Sequence, residues 1–223
     1  MDWTAFALTL KLAFWTCVVI LPIAIALARW LAWGRFPGKS LAETLVMLPL
    51  VLPPTVLGFY LLVSFAPESG LGAFVAALFG EPLVFTFTGI LVASLIINLP
   101  FAVQPIQRAF EAIAPNVREA AFVSGLSPIE TLRRVELPLA WPGIASGLAL
   151  VFAHTLGEFG VILMIGGSIP GETRVMSIAI YDGVQAFRTG DAAVMSAVLL
   201  GFSFAAIVIV HMLARRRLDA HAR

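Results

Sequence analysis

The amino-acid sequence predicts an all-α, polytopic transmembrane helical bundle with about five spans, and three observations support this fold class. Hydrophobic residues occupy 60% of the 223 positions, and the mean hydropathy is +0.98. Charged residues make up 12%, about half of the ~25% that is usual in soluble domains. Several segments run about 20 residues without a charge, enough to cross the ~30 Å hydrocarbon layer as helix. These properties exclude a soluble domain, a disordered chain and an alternating β-barrel.

Five segments are predicted to span the membrane within one transmembrane domain that covers residues 1–223. They are approximately residues 8–31, 44–65, 84–103, 143–158 and 192–211. The uncharged run 12–28 exceeds the ~7–15 residues of a signal-peptide core, so we expect a retained first span. Pro49, Pro53 and Pro54 are expected to bend the second segment. The apolar pieces 71–80 and 176–181 are too short to span.

The basic residues indicate the orientation of these spans. Eleven of the 14 Lys and Arg residues lie in the first connection, the third connection and the C-terminal tail. Those eleven are Arg29, Arg35, Lys39, Arg108, Arg118, Arg133, Arg134, Arg215, Arg216, Arg217 and Arg223. Only Lys11, Arg174 and Arg188 lie on the other side. By the positive-inside rule, the N-terminus is expected outside and the C-terminus inside.

The third connection is predicted to contain two short helices around a glycine turn. Pro115 suits the first position of a helix, and Gly125 suits the left-handed residue that ends it. Ser127 and Glu130 have the spacing of a capping box at the start of a second helix. That helix is expected to end before Pro138, because proline disfavours helical conformation in the residue that precedes it.

Small residues lie four positions apart on the first of these helices, at Ala120 and Ser124 and at Ala121 and Gly125. Such rows allow the surface of another protein to approach closely. A plain helical loop between spans is one alternative. A DNA-binding helix-turn-helix is another, but it needs a basic recognition helix that is free of the membrane.

The same loop resembles the EAA signature of ABC importer permeases, E-A-A-x3-G-x9-I-x-L-P, with Val135 in the place of isoleucine. The resemblance implies that residues 108–141 form a cytoplasmic loop that couples the permease to an ATPase subunit. Its coupling residues would be Glu119, Ala120, Ala121, Gly125, Ser127, Leu137 and Pro138.

Two further stretches, residues 48–62 and 156–181, resemble the molybdate permeases and, more distantly, the sulfate/thiosulfate and tungstate permeases. This implies a type I importer fold in the bacterial cytoplasmic membrane, and a homodimer that imports molybdate. The implied partners are two ATPase chains and an extracytoplasmic oxyanion-binding protein, with no nucleic acid. A sulfate, thiosulfate or tungstate permease is the related alternative. An ion-coupled carrier or channel without ATPases is the alternative from a different class.

No catalytic residues, cofactor or metal site are expected, and the chain has no G-x4-G-K-[ST] nucleotide motif. Residues 166–173 come nearest, but Glu172 stands in the place of the phosphate-binding lysine, and a carboxylate repels phosphate. Partner chains are therefore expected to hydrolyse ATP.

The candidates for a translocation path or gate are Pro53, Pro54, Asn98, Thr155 and Glu158. A carboxylate within a membrane is costly, so Glu158 suggests either a gate or a hydrogen-bonded structural role. His154 is expected to be packed or hydrogen-bonded, with a proton relay as the alternative. The other neutral donors along the spans are Thr55, Ser94, Ser146 and Ser196. With such donors, the chain is expected to bind its anion weakly.

Overall fold

The computed structural model describes residues 1–221, and within this range the chain forms eleven α-helices and one π-helical segment. The helices are α1 Trp3–Trp33, α2 Lys39–Val51, α3 Pro54–Phe65, α4 Gly70–Phe79, α5 Phe87–Glu111, α6 Pro115–Val123, α7 Pro128–Thr131, α8 Leu137–Gly157, α9 Gly160–Gly166, α10 Met176–Gln185 and α11 Thr189–His221. The π-helical segment is Leu132–Glu136. Arg223 of the predicted basic tail lies outside the described residues.

The predicted number of spans agrees with these helices. Four helical runs are long and apolar enough to cross a membrane: Trp3–Trp33, Phe87–Glu111, Pro128–Gly157 and Thr189–Ala206. The pair α2 and α3 makes a fifth crossing if it counts as one broken span. The short pieces predicted at 71–80 and 176–181 are α4 and α10, each of ten residues.

The second predicted span is sharply bent, because α2 and α3 meet at an angle of 109°. Pro53 and Pro54 lie at the break and carry no N–H, so they reduce the number of backbone donors that the break exposes. The Pro53 carbonyl then accepts the N–H groups of Val56 and Leu57. The proline pair therefore makes a helix break tolerable inside a membrane.

The prediction that the second loop helix ends before Pro138 is wrong. The helix continues through the π-helical segment, where the Leu137 N–H bonds to the Leu132 carbonyl five residues back. This change of hydrogen-bond register places Pro138 in the first turn of α8. A proline is tolerated at this change of register because it has no N–H that would need a partner there.

Two apolar cores lie along the bundle, and a layer of polar side chains separates them. The first core lies among α1, α3, α5 and α9. Its buried residues are Leu8, Leu12, Leu57, Phe65, Leu83, Ile90, Ala93, Ile97, Val161, Ile162, Ile165, Val175 and Ile178. The second lies among α1, α2, α5 and α8. Its buried residues are Ile20, Ala24, Ala28, Leu31, Val46, Ala102, Val103, Ile106, Phe110, Ile113, Ala140, Ile144 and Val151. Since α2 joins one core and α3 the other, the bent pair passes between the two halves of the bundle.

Helices α5 and α8 approach each other closely at Gly143 and Gly147. A side chain at Gly143 would overlap the Pro105 carbonyl oxygen and the Ala109 side chain. At Gly147 an added Cβ would lie 3.1 Å from the Ala102 carbonyl oxygen. The four-residue spacing of the glycines is the small-residue pattern that allows close helix contact in membranes.

Candidate functional site

The loop between α5 and α8 has the turn that the sequence predicts. Helix α6 ends in a pair of hydrogen bonds, from the Leu126 N–H to the Ala121 carbonyl and from the Gly125 N–H to the Phe122 carbonyl. This is the Schellman arrangement, which requires a left-handed residue after the helix. Gly125 occupies that position with a φ of +80°.

The capping box at the start of α7 is also confirmed. The Ser127 hydroxyl accepts the Glu130 N–H, and the Glu130 carboxylate accepts the Ser127 N–H at 3.0 Å. The Ser127 N–H and then its hydroxyl hold the pKa of the Glu130 carboxyl below its ordinary value, because both donate to the charged form. The turn between the two helices is therefore fixed from both sides.

One face of this helix pair is exposed. Glu119, Ala120 and Gly125 are exposed, and Phe122 and Val123 expose 51% and 90% of their surface. The remaining predicted coupling residues differ in exposure: Ala121 is buried, Leu137 is half-buried, and Ser127 and Pro138 are exposed. Of the two small-residue rows, only Ala120 and Ser124 are exposed along their whole length.

A buried ion-pair cluster lies beneath the loop, at Glu136. The Glu136 side chain has no exposed surface, and its carboxylate accepts from Arg29 Nε at 2.7 Å and Arg118 Nε at 3.2 Å. The Arg118 guanidinium also stacks over the Trp33 ring, 3.7 Å from its centroid. This cluster is not predicted from the sequence, because Arg29 and Glu136 lie 107 positions apart.

The polar layer joins the three central helices in the middle of the bundle. Thr16 of α1 donates to Ser94 Oγ at 2.9 Å. Asn98 of α5 donates to the Ser94 carbonyl at 2.8 Å and to Thr155 Oγ1 of α8 at 3.1 Å. His154 Nδ1 lies 3.1 Å from Asn98 Oδ1. Two predicted path residues, Asn98 and Thr155, thus come together, and their polar groups are used within the chain.

Glu158 lies one turn beyond this layer, at the end of α8. Its carboxylate accepts the Val161 N–H at 3.0 Å, in the first turn of α9, and lies 3.7 Å from His154 Nε2. This hydrogen bond satisfies an N–H group in the first turn of α9. Pro54 packs against Gly160 nearby, where a Cβ would lie 2.8 Å from the Pro54 side chain. Pro53 is exposed at the bend.

The nucleotide-like stretch at residues 166–173 is a structural turn. Thr173 Oγ1 donates to the Gly166 carbonyl at 2.7 Å, and the Glu172 carboxylate accepts the Phe87 N–H at 2.9 Å. Its glutamate therefore anchors the beginning of α5.

The helical bundle has the fold of the type I ABC importer permeases. The fold agrees with a bacterial alginate ABC transporter in complex with an alginate-bound periplasmic protein. That match has a TM-score of 0.76 at 22% identity and covers 96% of this chain and 78% of the other. The chain belongs to the binding-protein-dependent transport system inner membrane component family, which matches residues 20–221.

Individual relatives cover nearly the whole chain. The molybdenum transport system permease protein ModB of Azotobacter vinelandii is 44% identical over 219 residues, which are 98% of this chain and 96% of the relative. The sulfate transport system permease protein CysT of Salmonella typhimurium is 32% identical over 212 residues, 95% of this chain and 76% of the relative. The expected resemblance to oxyanion permeases is therefore confirmed.

Proposed function

We propose that this chain is the membrane-spanning subunit of an ATP-driven importer of molybdate, with hydrolysis carried out by separate ATPase chains. The near full-length similarity to a molybdenum permease is the observation that carries the proposal. The similarity to a sulfate permease makes sulfate the second candidate. Membership of a binding-protein-dependent family favours both over a carrier that works without ATPases.

Uptake into vesicles tests the substrate. The chain is reconstituted with its organism's ATPase and oxyanion-binding protein, and labelled molybdate uptake is measured with and without internal ATP. We expect ATP-dependent uptake of the label. An excess of unlabelled molybdate should abolish this uptake, whereas the same excess of sulfate should leave it largely intact. Equal competition by sulfate would support the second candidate, and uptake without the ATPase would contradict the importer mechanism.

The chain is expected to bind the anion itself only weakly. Lys11 lies near the beginning of α1, with its Nζ 4.1 Å from the centroid of the Phe87 ring, and Arg29 pairs with Glu136 near the other end. Between them, the buried donors Asn98 and Thr155 are already hydrogen-bonded. Equilibrium binding of molybdate to the isolated chain at micromolar or tighter affinity would contradict this expectation.

We assign ATPase docking to the exposed face of residues 108–141, around Glu119, Ala120 and Gly125. Gly125→Leu forces a side chain into the left-handed conformation, at about 1–2 kcal/mol of local strain. It also adds bulk to the exposed turn, where a Cβ meets no atom within 4 Å. We expect normal membrane insertion, with weakened ATPase co-purification and weakened binding-protein-stimulated ATP hydrolysis. Glu119→Ala should have the same effects more mildly.

Gly38→Leu is the matched control. Gly38 has a φ of +86° and equally open surroundings, but it lies in the first connection, outside the coupling loop. It should therefore suffer the same strain and retain coupling. If Gly125→Leu and Gly38→Leu behave alike, the docking assignment fails.

We propose that two copies form the transporter, with the path along the seam between them. The polar layer is hydrogen-bonded within one copy, whereas Pro53, Pro54 and Thr55 are exposed on the outside of the bundle. These three residues then face the seam. Thr55→Cys in a Cys17→Ser chain should form disulfide-linked dimers under oxidation. Absence of this cross-link, with Phe14→Cys on exposed α1 as the comparison, would contradict the placement.

The N-terminus is proposed to lie outside and the C-terminus inside. The orientation is supported by the Arg29–Glu136 contact, which brings the basic first and third connections to one end of the bundle. Cysteines at Ser40 and Glu68, in a Cys17→Ser chain, should label oppositely with an impermeant reagent. Equal labelling would mean that the bent pair does not cross.

A further inference from the structure

The two faces of α6 differ in what they contact. Glu119 and Val123 face outward, while Arg118 and Ala121, three residues apart on one side of the helix, face the rest of the chain. Helix α6 packs mainly on α7 and the π-helical segment, its neighbours in sequence. Arg118 contacts Glu136 at the end of the π-helical segment, and it reaches beyond these neighbours to the Trp33 ring of α1.

We propose that Glu136 is a positioning residue that ties the coupling helix α6 to the spans α1 and α8. A displacement of α6 by the ATPase is then passed to both spans at once. This proposal rests on the function proposed above. Glu136 lies at the end of the π-helical segment that continues into α8, and its two oxygens bind arginines from two other helices.

The chemistry of the cluster suits the transmission of force. Charge-assisted hydrogen bonds to an arginine fork are strong and directional, so they resist sliding in a way that apolar contacts do not. The carboxylate is fully buried, whereas the Arg29 and Arg118 side chains are 31% and 25% exposed. Each arginine can therefore keep contact with water while the shared carboxylate holds them together. The Trp33 ring packs against Phe110 of α5 as well, at 5.2 Å between centroids.

The π-helical segment sets the direction in which the Glu136 carboxylate points. An extra residue in one helical turn rotates the preceding part of the helix, α7, relative to α8. Such π-helical bulges occur frequently at functional sites. Arg133 and Arg134 of the same segment are exposed, while Glu136 is buried. The hydrogen-bond register of this segment therefore turns Glu136 toward the inside of the protein and leaves the two arginines at the surface.

Glu136→Gln and Arg118→Gln test the proposal in vesicles that contain the complete transporter. Glu136→Gln removes the charge and keeps the size, and Arg118→Gln cuts only the link to α6. We expect both to co-purify with the ATPase at the wild-type level, because the docking face is unchanged. Binding-protein-stimulated hydrolysis and uptake should each fall about tenfold or more, and the uptake per ATP hydrolysed should fall as well.

A label experiment distinguishes transmission from a merely structural role. Spin labels at Val117 and Trp3, both exposed, report ATP-driven movement of α6 and of the far end of α1. In wild type both should shift on ATP binding. In Glu136→Gln and Arg118→Gln the Val117 shift should persist and the Trp3 shift should be lost. Arg118→Lys should restore part of it.

Lys39→Gln is the matched control, because Lys39 pairs with Glu43 at 3.9 Å and lies outside residues 108–141. It should keep wild-type coupling. Wild-type stimulation and uptake in Arg118→Gln would overturn the proposal, as would loss of ATPase co-purification in both variants. If Glu136→Gln does not reach the membrane, Arg118→Gln alone decides. A wild-type complex that imports no oxyanion would contradict the proposed function and not this link.

Discussion

The cluster at Glu136 and the polar layer around Asn98 both join α1 to other helices of the bundle, but they use different chemistry. At Glu136 full charges meet, whereas Asn98 donates to the Thr155 hydroxyl and the Ser94 carbonyl. The arginines at Glu136 reach water, which lowers the cost of burying their shared partner. The layer lies between two apolar cores, where an unpaired charge is far more expensive. The ion pairs of Glu136 therefore lie at the end of the bundle, and the weaker hydrogen bonds around Asn98 lie in the middle.

The largest effect is expected when the charged cluster is broken. Glu136→Leu removes the hydrogen bonds from Arg29 and Arg118, and because bonds to a charged group contribute about 1.5–3 kcal/mol each, it should lower the free energy of unfolding by about 3 kcal/mol or more. Thermal or denaturant unfolding of the purified chain in detergent measures this loss. Arg108→Leu, at an exposed pair, should change stability by less than about 1 kcal/mol. Similar values for the two variants would remove the distinction between a buried and a surface ion pair.

The next effect concerns the α5–α8 contact that connects the two regions. Gly143→Ala places a Cβ onto the Pro105 carbonyl, which is backbone and cannot turn aside, so we expect a loss of about 1–3 kcal/mol. Gly201→Ala in α11 meets no atom within 4 Å and should be neutral or gain up to about 1 kcal/mol from helix propensity. The same unfolding assay compares them. A neutral Gly143→Ala would show that the helices are not in close contact.

A smaller effect is expected in the polar layer. Asn98→Leu removes the donor to Thr155 and Ser94, and hydrogen bonds between membrane helices average only about 0.6 kcal/mol, with a maximum near 1.7. We therefore expect a loss of roughly 1–2 kcal/mol, clearly below that of Glu136→Leu. Ser196→Leu, on the exposed side of α11, should have no effect. A loss in Asn98→Leu as large as that in Glu136→Leu would reverse the comparison.

The smallest effect is a dependence on pH at the loop. The pKa of the Glu130 carboxyl is lowered in the folded chain by the Ser127 N–H and hydroxyl. Its contribution is therefore present above the ordinary glutamate pKa and is lost as the pH falls through the lowered value. Hydrogen exchange at the Ser127 amide should accelerate on acidification, after correction for intrinsic rates. Glu130→Gln should show no such change, and an equal response in both would refute the assignment.

The sequence predicted the spans and the loop turn because both depend on local chemistry. A run of apolar residues crosses the membrane wherever it lies, and Gly125 with Ser127 specifies a turn by backbone geometry alone. The end of the second loop helix was predicted wrongly at Pro138. A single proline rule cannot anticipate a shift in hydrogen-bond register upstream.

The Glu136 cluster could not be predicted because its members are far apart in sequence. Arg29 and Arg118 were interpreted only as orienting charges, and nothing local pairs Arg29 with an acid 107 positions away. The glycine pair at Gly143 and Gly147 carried a readable signal, the four-residue spacing of close helix contact. Its partner on α5 still required the three-dimensional structure.

The separation between Arg29 and Glu136 has a consequence for biosynthesis. At ribosomal rates of about 5–20 residues per second, the 107 intervening positions take about 5–20 s to synthesise. Throughout that interval the Glu136 carboxylate is not yet available, and Arg29 stands as a positive charge at the end of the first span. In the proposed orientation, the charge of Arg29 keeps the C-terminal end of α1 in the cytoplasm during this interval. One arginine then serves twice, first as a topological anchor during translation and afterwards as part of the finished ion pair.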